Sequence, residues 1–349
     1  MAGEPNTLIV GAGLAGTALA WQLHRRGVPF AIVDAGEPNS SSRIAAGFFN
    51  PITGQRLALS WRYRELFECA ERFYRQVESD VGRELFVRRP MVRLFQNGLE
   101  KERYSRKAAD FGDLVGELNP PLLESDFTSD LGGFELPTVA QLNVADFLLE
   151  SKRHFADRFI SATIDTNSIR IENDSVAVHD LGAFRRIVFC QGVAAMQNPL
   201  FRDLPFAPAK GEILTLRVPG LREDRIVNRG VWLAPLGNEL YRAGSTYDRD
   251  NLDSVPTAQG REEIVGRLRA FLRRPFEVVD HVAAIRPILD DRKPLLGLHP
   301  HYDSVGFFNG LGSKGSLLAP YFAGQLADYL RGSGALEADV DLRHWKRRA

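Results

Sequence analysis

Cysteine is scarce in this chain, and neither sign of charge dominates it. The two cysteines, Cys69 and Cys190, cannot make a disulfide framework, and neither stands in the paired spacing of a zinc module. Lysine plus arginine equal aspartate plus glutamate at 44 each, so no net field attracts nucleic acid or anionic lipid. No apolar run approaches the roughly 18–20 residues that a bilayer span needs. These absences favour a cytoplasmic globular protein without a metal site.

The rest of the composition suits a sizeable core. Of the 349 residues, 44% are hydrophobic and 25% are charged, which is ordinary for a globular chain. This length predicts two domains or one large one.

Residues 7–34 have the pattern strand, helix, strand. A short β-branched run stops at Gly11, and apolar residues then recur at helical spacing until Gly27 ends the helix. A second apolar strand follows and ends at Asp34. A unit of this kind typically binds a nucleotide at the turn after its first strand.

Three glycines of that turn, Gly11, Gly13 and Gly16, have the G-x-G-x-x-G spacing. The first permits the tight turn, the second lets a pyrophosphate approach the backbone, and the third allows close helix–sheet packing. The following helix presents its N–H groups to the phosphates. Asp34 can accept hydrogen bonds from ribose hydroxyls, which disfavours NADP. The motif does not distinguish NAD from FAD, and a glycine-rich turn in an unrelated α/β domain is the alternative.

Further helices and strands follow, with a strand-rich middle. The patterns predict helices over 58–80, 143–155, 258–274 and 314–331, and a charged helix or loop over 98–110. They predict strands within 85–95, 159–164, 186–190, 210–246, 277–285 and 304–309, a hairpin over 168–179, and an irregular segment over 111–139. Helix-and-strand units at both ends indicate a nucleotide domain assembled from separated stretches of chain.

Four more segments follow the first unit in order: 42–47, 210–212, 283–287 and 310–315. Together with the glycine turn, they make the chain resemble the D-amino-acid oxidase and glycine oxidase (DAO) family of FAD-dependent amine oxidoreductases. The last segment, Gly-Leu-Gly-Ser-Lys-Gly, and Asn50-Pro51 also resemble the oxidase half of bifunctional enzymes that modify the wobble uridine of tRNA.

The resemblance implies an α/β fold in two parts, each discontinuous in sequence. Residues 1–85, 140–205 and 295–349 would form a Rossmann-type FAD-binding domain. Residues 86–139 and 206–294 would form a substrate-binding domain with a mostly antiparallel β-sheet.

The resemblance also implies where FAD binds. Segment 42–47 would pass the flavin ring, and the helix after segment 310–315 would direct its positive end at the flavin. A mobile serine-rich loop and an ordinary helix start are the alternatives. No cysteine stands where sarcosine oxidases attach flavin, so we expect non-covalent FAD. The residues assigned to the cofactor are Gly11, Ala12, Gly13, Leu14, Ala15, Gly16, Asp34, Ala35, Ser42, Arg43, Ala46, Gly47, Thr163, Ile164, Gly192, Arg286, Gly312, Ser313, Lys314, Gly315 and Ser316.

Arg286 is the residue that the resemblance assigns to the substrate. In the family, the arginine before this proline holds the substrate carboxylate, and a planar guanidinium does so through two parallel hydrogen bonds. A structural ion pair with Asp290 or Asp291 is the alternative. Further candidates for substrate contacts are Tyr241 and Tyr247, which could equally be core tyrosines, and Asn50 and Gln55.

The expected reaction is oxidation of the C–N bond of a small amino acid or N-substituted glycine by hydride transfer to flavin N5. The reduced flavin would pass its electrons to oxygen or to a quinone-type acceptor. Two other functions stay open. One is an oxidase acting on a carboxymethylaminomethyl base of tRNA, which the zero net charge disfavours. The other is a flavin-binding subunit without turnover of its own.

Overall fold

The computed structural model describes residues 6–172 and 174–347, and two large β-sheets organise it. The α-helices in these ranges are α1 (Leu14–Arg25), α2 (Tyr63–Val81), α3 (Gly98–Phe111), α4 (Val144–His154), α5 (Ala258–Arg269) and α6 (Gly315–Leu330). Short 3-10 turns are Gly112–Leu114, Ala156–Arg158, Thr166–Ser168, Gly192–Gln197, Gly312–Lys314 and Leu342–Arg347. None of the helices in the described ranges combines the length and the apolar character of a membrane span.

The first sheet, named the parallel sheet, runs parallel except at one edge. Its strands in spatial order are Phe159–Ser161, Phe30–Asp34, Thr7–Val10, Arg186–Phe189, Val305–Asn309 and the antiparallel edge strand Leu295–Leu298. Side chains alternate across it. Ile9 packs into a core with α1, α2 and α6, whereas Leu8 and Val10 pack on the opposite face. That face is covered by a small sheet of Ile169–Ile171, Val176–Val178 and Gly182–Phe184.

The second sheet, named the antiparallel sheet, comes from the middle of the chain. Its strands in spatial order are Glu277–Arg286, Ala209–Arg217, Leu240–Gly244, Trp232–Gly237, Ile226–Asn228, Met91–Leu94 and Gly133–Leu136. Only the pair formed by Ile226–Asn228 and Met91–Leu94 is parallel within it. Ile264 and Leu268 of α5 pack on one face. Two small sheets complete the described structure: Phe48–Phe49, Ala140–Leu142 and Phe86–Arg88 in one, and Ile52–Thr53 with Ala58–Leu59 in the other.

The expected fold class is confirmed, because a parallel α/β sheet stands beside a mostly antiparallel one. All strands of the parallel sheet lie within 1–85, 140–205 or 295–349, and all strands of the antiparallel sheet lie within 86–139 or 206–294. The domain boundaries themselves remain a proposal.

One predicted helix begins later than its apolar pattern suggests. The helix predicted over 58–80 begins at Tyr63, because Ala58–Leu59 pairs with Ile52–Thr53 in a hairpin. Arg62 then adopts a left-handed conformation (φ 48°), which is incompatible with a preceding helical turn.

Two strands of the large sheets lie outside the predicted strand ranges. Gly133–Leu136 lies inside the segment predicted to be irregular, and Leu295–Leu298 lies where no strand is predicted. Both are short edge strands, for which pairing with a neighbour matters more than local composition. The hairpin predicted over 168–179 is formed by Ile169–Ile171 and Val176–Val178, and Asn173 in its turn lies outside the described residues.

Candidate active site

A cavity of about 730 Å³ lies between the glycine turn, the start of α6 and one face of the antiparallel sheet. Its turn end is lined by residues 11–15 with Asp34 and Glu37. Its sheet end is lined by Gly211, Ile213, Trp232, Ser245, Thr246, Tyr247 and Arg286. Segment 42–48 runs along the cavity.

Backbone packing at the turn end requires residues without a Cβ. A Cβ on Gly16 would lie 1.9 Å from the carbonyl oxygen of Gly11, so only glycine lets α1 approach the first strand this closely. Gly11 itself has φ +102°, and a Cβ there would lie 2.6 Å from the carbonyl oxygen of Cys190. The exposed backbone of this turn, followed by a helix N-terminus, suits a pyrophosphate.

Asp34 closes the second strand beside this turn. Its carboxylate accepts hydrogen bonds from the backbone N–H of Ala12 (2.7 Å) and of Gly36 (2.8 Å). The serine-rich segment reaches the same place, because Ser42 Oγ accepts a hydrogen bond from Leu14 N at 3.0 Å. A ribose carrying two hydroxyls would meet an acidic acceptor here.

The start of α6 lies directly against the start of α1. A Cβ on Gly315 would come within 2.8 Å of Leu14 Cδ1, so glycine is needed for this contact. The Asn309 side chain links the turn before α6 to the segment at Gly192, since it donates to the carbonyl of Gly192 (2.8 Å) and accepts from Gly310 N (2.8 Å). Two helix N-termini therefore meet one cavity.

Arg286 projects into the sheet end and is held by oxygen atoms of neighbouring strands and turns. Nη1 donates to the carbonyl of Lys210 (3.1 Å), and Nη2 donates to Ser245 Oγ (2.8 Å) and to the carbonyl of Thr246 (3.2 Å). The guanidinium lies over Gly211, where a Cβ would be 1.9 Å from Nη2. The glycine of segment 210–212 thus makes room for the arginine.

The three hydrogen bonds of Arg286 go to neutral oxygens, and no ion pair joins it to Asp290 or Asp291 in the described structure. Burial lowers the pKa of Arg286, and the ring of Tyr247, 5.5 Å from the guanidinium carbon, is its main aromatic neighbour. A half-buried cation without an acid partner at a cavity wall is well suited to an anionic ligand.

Apolar side chains line the rest of the sheet end. Trp232 and Phe48 meet edge to face with ring centroids 5.0 Å apart. Ile213 lies beside them and is buried. Acidic side chains among the described lining residues are Asp34 and Glu37, both at the turn end, and no histidine lines the cavity.

Comparison with known proteins identifies the family. The model of the DAO family, described as FAD-dependent oxidoreductase, matches residues 6–329. The chain belongs to the DAO family. It is therefore an FAD-dependent oxidoreductase, and the cradle at the turn end fits the dinucleotide part of that cofactor.

Relatives of this DAO-family chain are distant in sequence. A glycine oxidase of Bacillus licheniformis is 22% identical and aligns over 94% of this chain and 93% of its own length. The tRNA 5-methylaminomethyl-2-thiouridine biosynthesis bifunctional protein MnmC of Azoarcus sp. (strain BH72) is 23% identical over 97% of this chain, which spans 59% of that relative.

Solved structures share the whole fold. Glycine oxidase from Geobacillus kaustophilus superposes with a TM-score of 0.81 at 21% identity, covering 95% of both chains. Iminodiacetate oxidase from Chelativorans sp. BNC1 superposes with a TM-score of 0.77 at 22% identity, covering 95% of this chain and 96% of the other. At these identities the likeness establishes the DAO fold and leaves the substrate open.

The DAO cavity brings together most of the residues proposed from the sequence. Those that line it are Gly11, Ala12, Gly13, Leu14, Ala15, Asp34, Ser42, Arg43, Ala46, Gly47, Gly192, Tyr247, Arg286, Gly312, Ser313, Gly315 and Ser316. Those that do not line it are Gly16, Ala35, Asn50, Gln55, Thr163, Ile164, Tyr241 and Lys314. Gly16 still acts on the turn through its packing against Gly11.

Two proposed substrate residues have structural roles instead. The Tyr241 hydroxyl donates to the carbonyl of Leu221 (3.1 Å) inside the core beneath α5, because strand alternation points it away from the cavity face. Asn50 Oδ1 accepts from Ile52 N (3.0 Å), which shapes the 50–53 turn. These placements correct the expectation that either side chain reaches the substrate.

Lys314 precedes α6 without lining the cavity. Burial and the nearby charge of Arg292 lower the pKa of its ammonium. Thr163 is exposed, and Ile164 packs against the core on the far side of the parallel sheet. The expected contacts of these three side chains with FAD stay untested proposals.

Sequence patterns missed the apolar wall and one cavity segment. Trp232 and Ile213 occupy strands whose alternation could be read, but which face meets the cavity depends on sheet register. Cys190, interpreted as a core thiol, also lines the cavity, and burial raises the pKa of its thiol well above the usual range. Residues 37–41 line the turn end without any signal beyond their serines.

Proposed function

We propose that this DAO-family enzyme oxidises the C–N bond of a small amino acid or N-substituted glycine. The observation that carries the proposal is the guanidinium of Arg286, half-buried at the sheet end without an ion-pair partner among the described residues. Its three contacts with protein oxygens leave part of the five N–H donors of a guanidinium available for a substrate carboxylate.

The residues of the turn end would hold FAD without a covalent bond. Gly13 and the N-terminus of α1 would receive the pyrophosphate, Asp34 the ribose, and segment 312–316 the flavin. When bound, the flavin supplies N5 as the acceptor of a hydride from the carbon next to the amine nitrogen. Oxygen or a quinone-type compound would then reoxidise it.

The chain's own contribution is binding and orientation. Ser245, Thr246 and Lys210 fix the plane of the Arg286 guanidinium, so a carboxylate bound to its remaining N–H donors would be held in a defined position. Holding the reacting C–H bond in one orientation accelerates transfer without a catalytic acid or base. The described side chains of the sheet end include no carboxylate to hold an ammonium, so the amine would bind uncharged.

Anaerobic titration of the purified yellow protein tests this function. D-amino acids, glycine, sarcosine and proline are added in turn, and loss of the oxidised flavin absorbance is followed. We expect at least one of them to bleach the flavin. Bound FAD that none of these amines reduces would instead indicate a flavin-binding subunit without turnover.

Replacing Arg286 tests the carboxylate assignment directly. We expect Arg286→Ala to weaken substrate binding roughly 100-fold, since a charge-assisted contact in a desolvated site is lost. FAD content of the purified variant serves as the folding control. Unchanged substrate affinity would contradict the assignment.

The relationship to MnmC keeps a tRNA substrate as a second candidate. A nucleic-acid enzyme needs a basic surface, and binding then weakens steeply with salt. A tRNA gel shift at several salt concentrations separates the two: salt-dependent retardation would favour the tRNA reading, and none is expected for a chain with 44 basic and 44 acidic residues.

A further inference from the structure

The sheet end carries a second binding feature beside Arg286, formed by one row across the antiparallel sheet. Ile213 pairs with Gly244, and Gly244 pairs with Trp232. A Cβ on Gly244 would lie 3.1 Å from Trp232 Cζ2 and 3.1 Å from Ile213 Cγ1. The indole therefore lies across the glycine, and Phe48 packs edge-on against it.

Two glycines of the antiparallel sheet thus make room for two different side chains. Gly211 makes room for the guanidinium of Arg286, and Gly244 makes room for the indole of Trp232. Gly211 and Ile213 are two residues apart on one strand, so their positions on the cavity face are separated by about 7 Å. An aliphatic side chain or a phenyl ring spans that distance from a carboxylate held at Arg286.

The charges of the cavity limit what the ligand can carry. At the sheet end, Arg286 is the charged side chain among the described lining residues. The other lining cation, Arg43, follows Ser42, which bonds the start of α1 at the turn end. One cation fits one carboxylate, and the wall of Trp232, Phe48 and Ile213 offers apolar surface to whatever lies beside it.

From this arrangement we propose that Trp232 determines specificity: the preferred substrates are monocarboxylic amino acids with an apolar group, on the α-carbon or on the nitrogen, that packs against its indole. This inference rests on the proposed function, because it takes Arg286 as the carboxylate site. It predicts that glycine, which carries no such group, is a poor substrate.

Binding of unreactive carboxylates to the purified flavoprotein tests the inference without turnover. Acetate and phenylacetate lack an amine, and their binding is measured by calorimetry and by the change in the visible flavin spectrum. Phenylacetate should bind at least about tenfold more tightly than acetate, because its ring is buried against the wall. Trp232→Ala should bring phenylacetate to the affinity of acetate and leave acetate unchanged.

Trp61→Ala is the matched control, since Trp61 stacks on Phe322 and does not line the cavity. It should keep the preference for phenylacetate. Trp232→Leu retains apolar volume and removes the flat ring, so it should lower the preference for phenylacetate only partly. This variant keeps the test available if Trp232→Ala does not fold. Equal binding of the two anions by the wild type, or a full preference in either Trp232 variant, would overturn the inference.

The two proposals fail in different ways. If both anions bind equally and Arg286→Ala abolishes their binding, the carboxylate site stands and the role of Trp232 is wrong. If neither anion binds and no amine bleaches the flavin, the proposed function itself is wrong.

Discussion

Partial burial of a guanidinium without an acidic partner carries a desolvation cost, and hydrogen bonds from Arg286 to neutral oxygens offset it. Two backbone carbonyls and one hydroxyl accept its hydrogen bonds. These neutral acceptors orient the guanidinium and leave its charge in place, whereas a carboxylate would cancel that charge. The residue is therefore both fixed in place and still attractive to an anion.

Gly211 is a sensitive test of that placement, because its missing side chain leaves the space that Arg286 fills. Gly211→Ala would set a methyl group 1.9 Å from Nη2, so we expect the guanidinium to move and carboxylate affinity to fall at least about tenfold. Substrate and acetate titrations measure the change.

The matched control for this variant is Gly266→Ala within α5, where an added Cβ meets no atom within 4 Å. Gly266→Ala should leave carboxylate binding unchanged and stabilise the fold by about 0.5–1 kcal/mol, because alanine has a higher helix propensity than glycine. A Gly211→Ala variant that binds like the wild type would contradict the described packing.

The absence of an acid at the sheet end, within the described lining, has a consequence for pH dependence. An ammonium substrate must lose its proton before binding, whereas arginine stays protonated over the working range even with a lowered pKa. We expect kcat/KM to fall about tenfold per pH unit below the amine pKa. The inflection should move from substrate to substrate with that pKa, and an inflection common to all substrates would point to an enzyme group instead.

At the scale of elements, the loop 245–257 depends on Lys210. Its backbone pairs with Asp248 (Lys210 N to Asp248 O, 2.7 Å), and its buried ammonium donates to Asp253 Oδ1 at 2.6 Å. The loop supplies Ser245, Thr246, Tyr247 and Ser254 to the cavity. One lysine thus contacts this loop at two points, Asp248 and Asp253.

We expect Lys210→Met to loosen this loop and raise KM on the order of tenfold with a smaller effect on kcat, because orientation of the bound carboxylate suffers. Limited proteolysis within 248–256 reports the loosening. Arg83→Met, which removes ion pairs to Asp146 and Glu150 away from the cavity, is the control. Equal proteolysis of the two variants would argue against the role of Lys210.

Local patterns predict the elements whose neighbours are close in sequence. The unit over 7–34 could be recognised because Gly16 packs on the carbonyl oxygen of Gly11 only five residues away, whereas the turn 310–315 is recognised by its resemblance to a family segment. Trp232 could not be recognised, since its position on the cavity face follows from pairing with Gly244 across the sheet. Register of this kind arises from the whole antiparallel sheet, which no local window contains.

At the scale of the whole molecule, the cavity joins the parallel sheet to the antiparallel sheet. A ligand that contacts both sides stabilises the folded state by about 2.7 kcal/mol at a hundredfold excess over its Kd. Adding FAD to the stripped protein should therefore raise Tm by several degrees. FMN, which lacks the adenosine that Asp34 would hold, should raise it less, and equal shifts would contradict a dinucleotide site.

The contact between Leu14 and Gly315 also constrains when the cofactor can be captured. The glycine turn leaves the ribosome early, yet strand Val305–Asn309 and helix α6, which complete its surroundings, are made about three hundred residues later. In a nascent polypeptide, the apolar faces of the first βαβ unit therefore stay uncovered until those late elements pack against them. We therefore expect flavin to bind only after the last helix has been synthesised, rather than to guide the early folding.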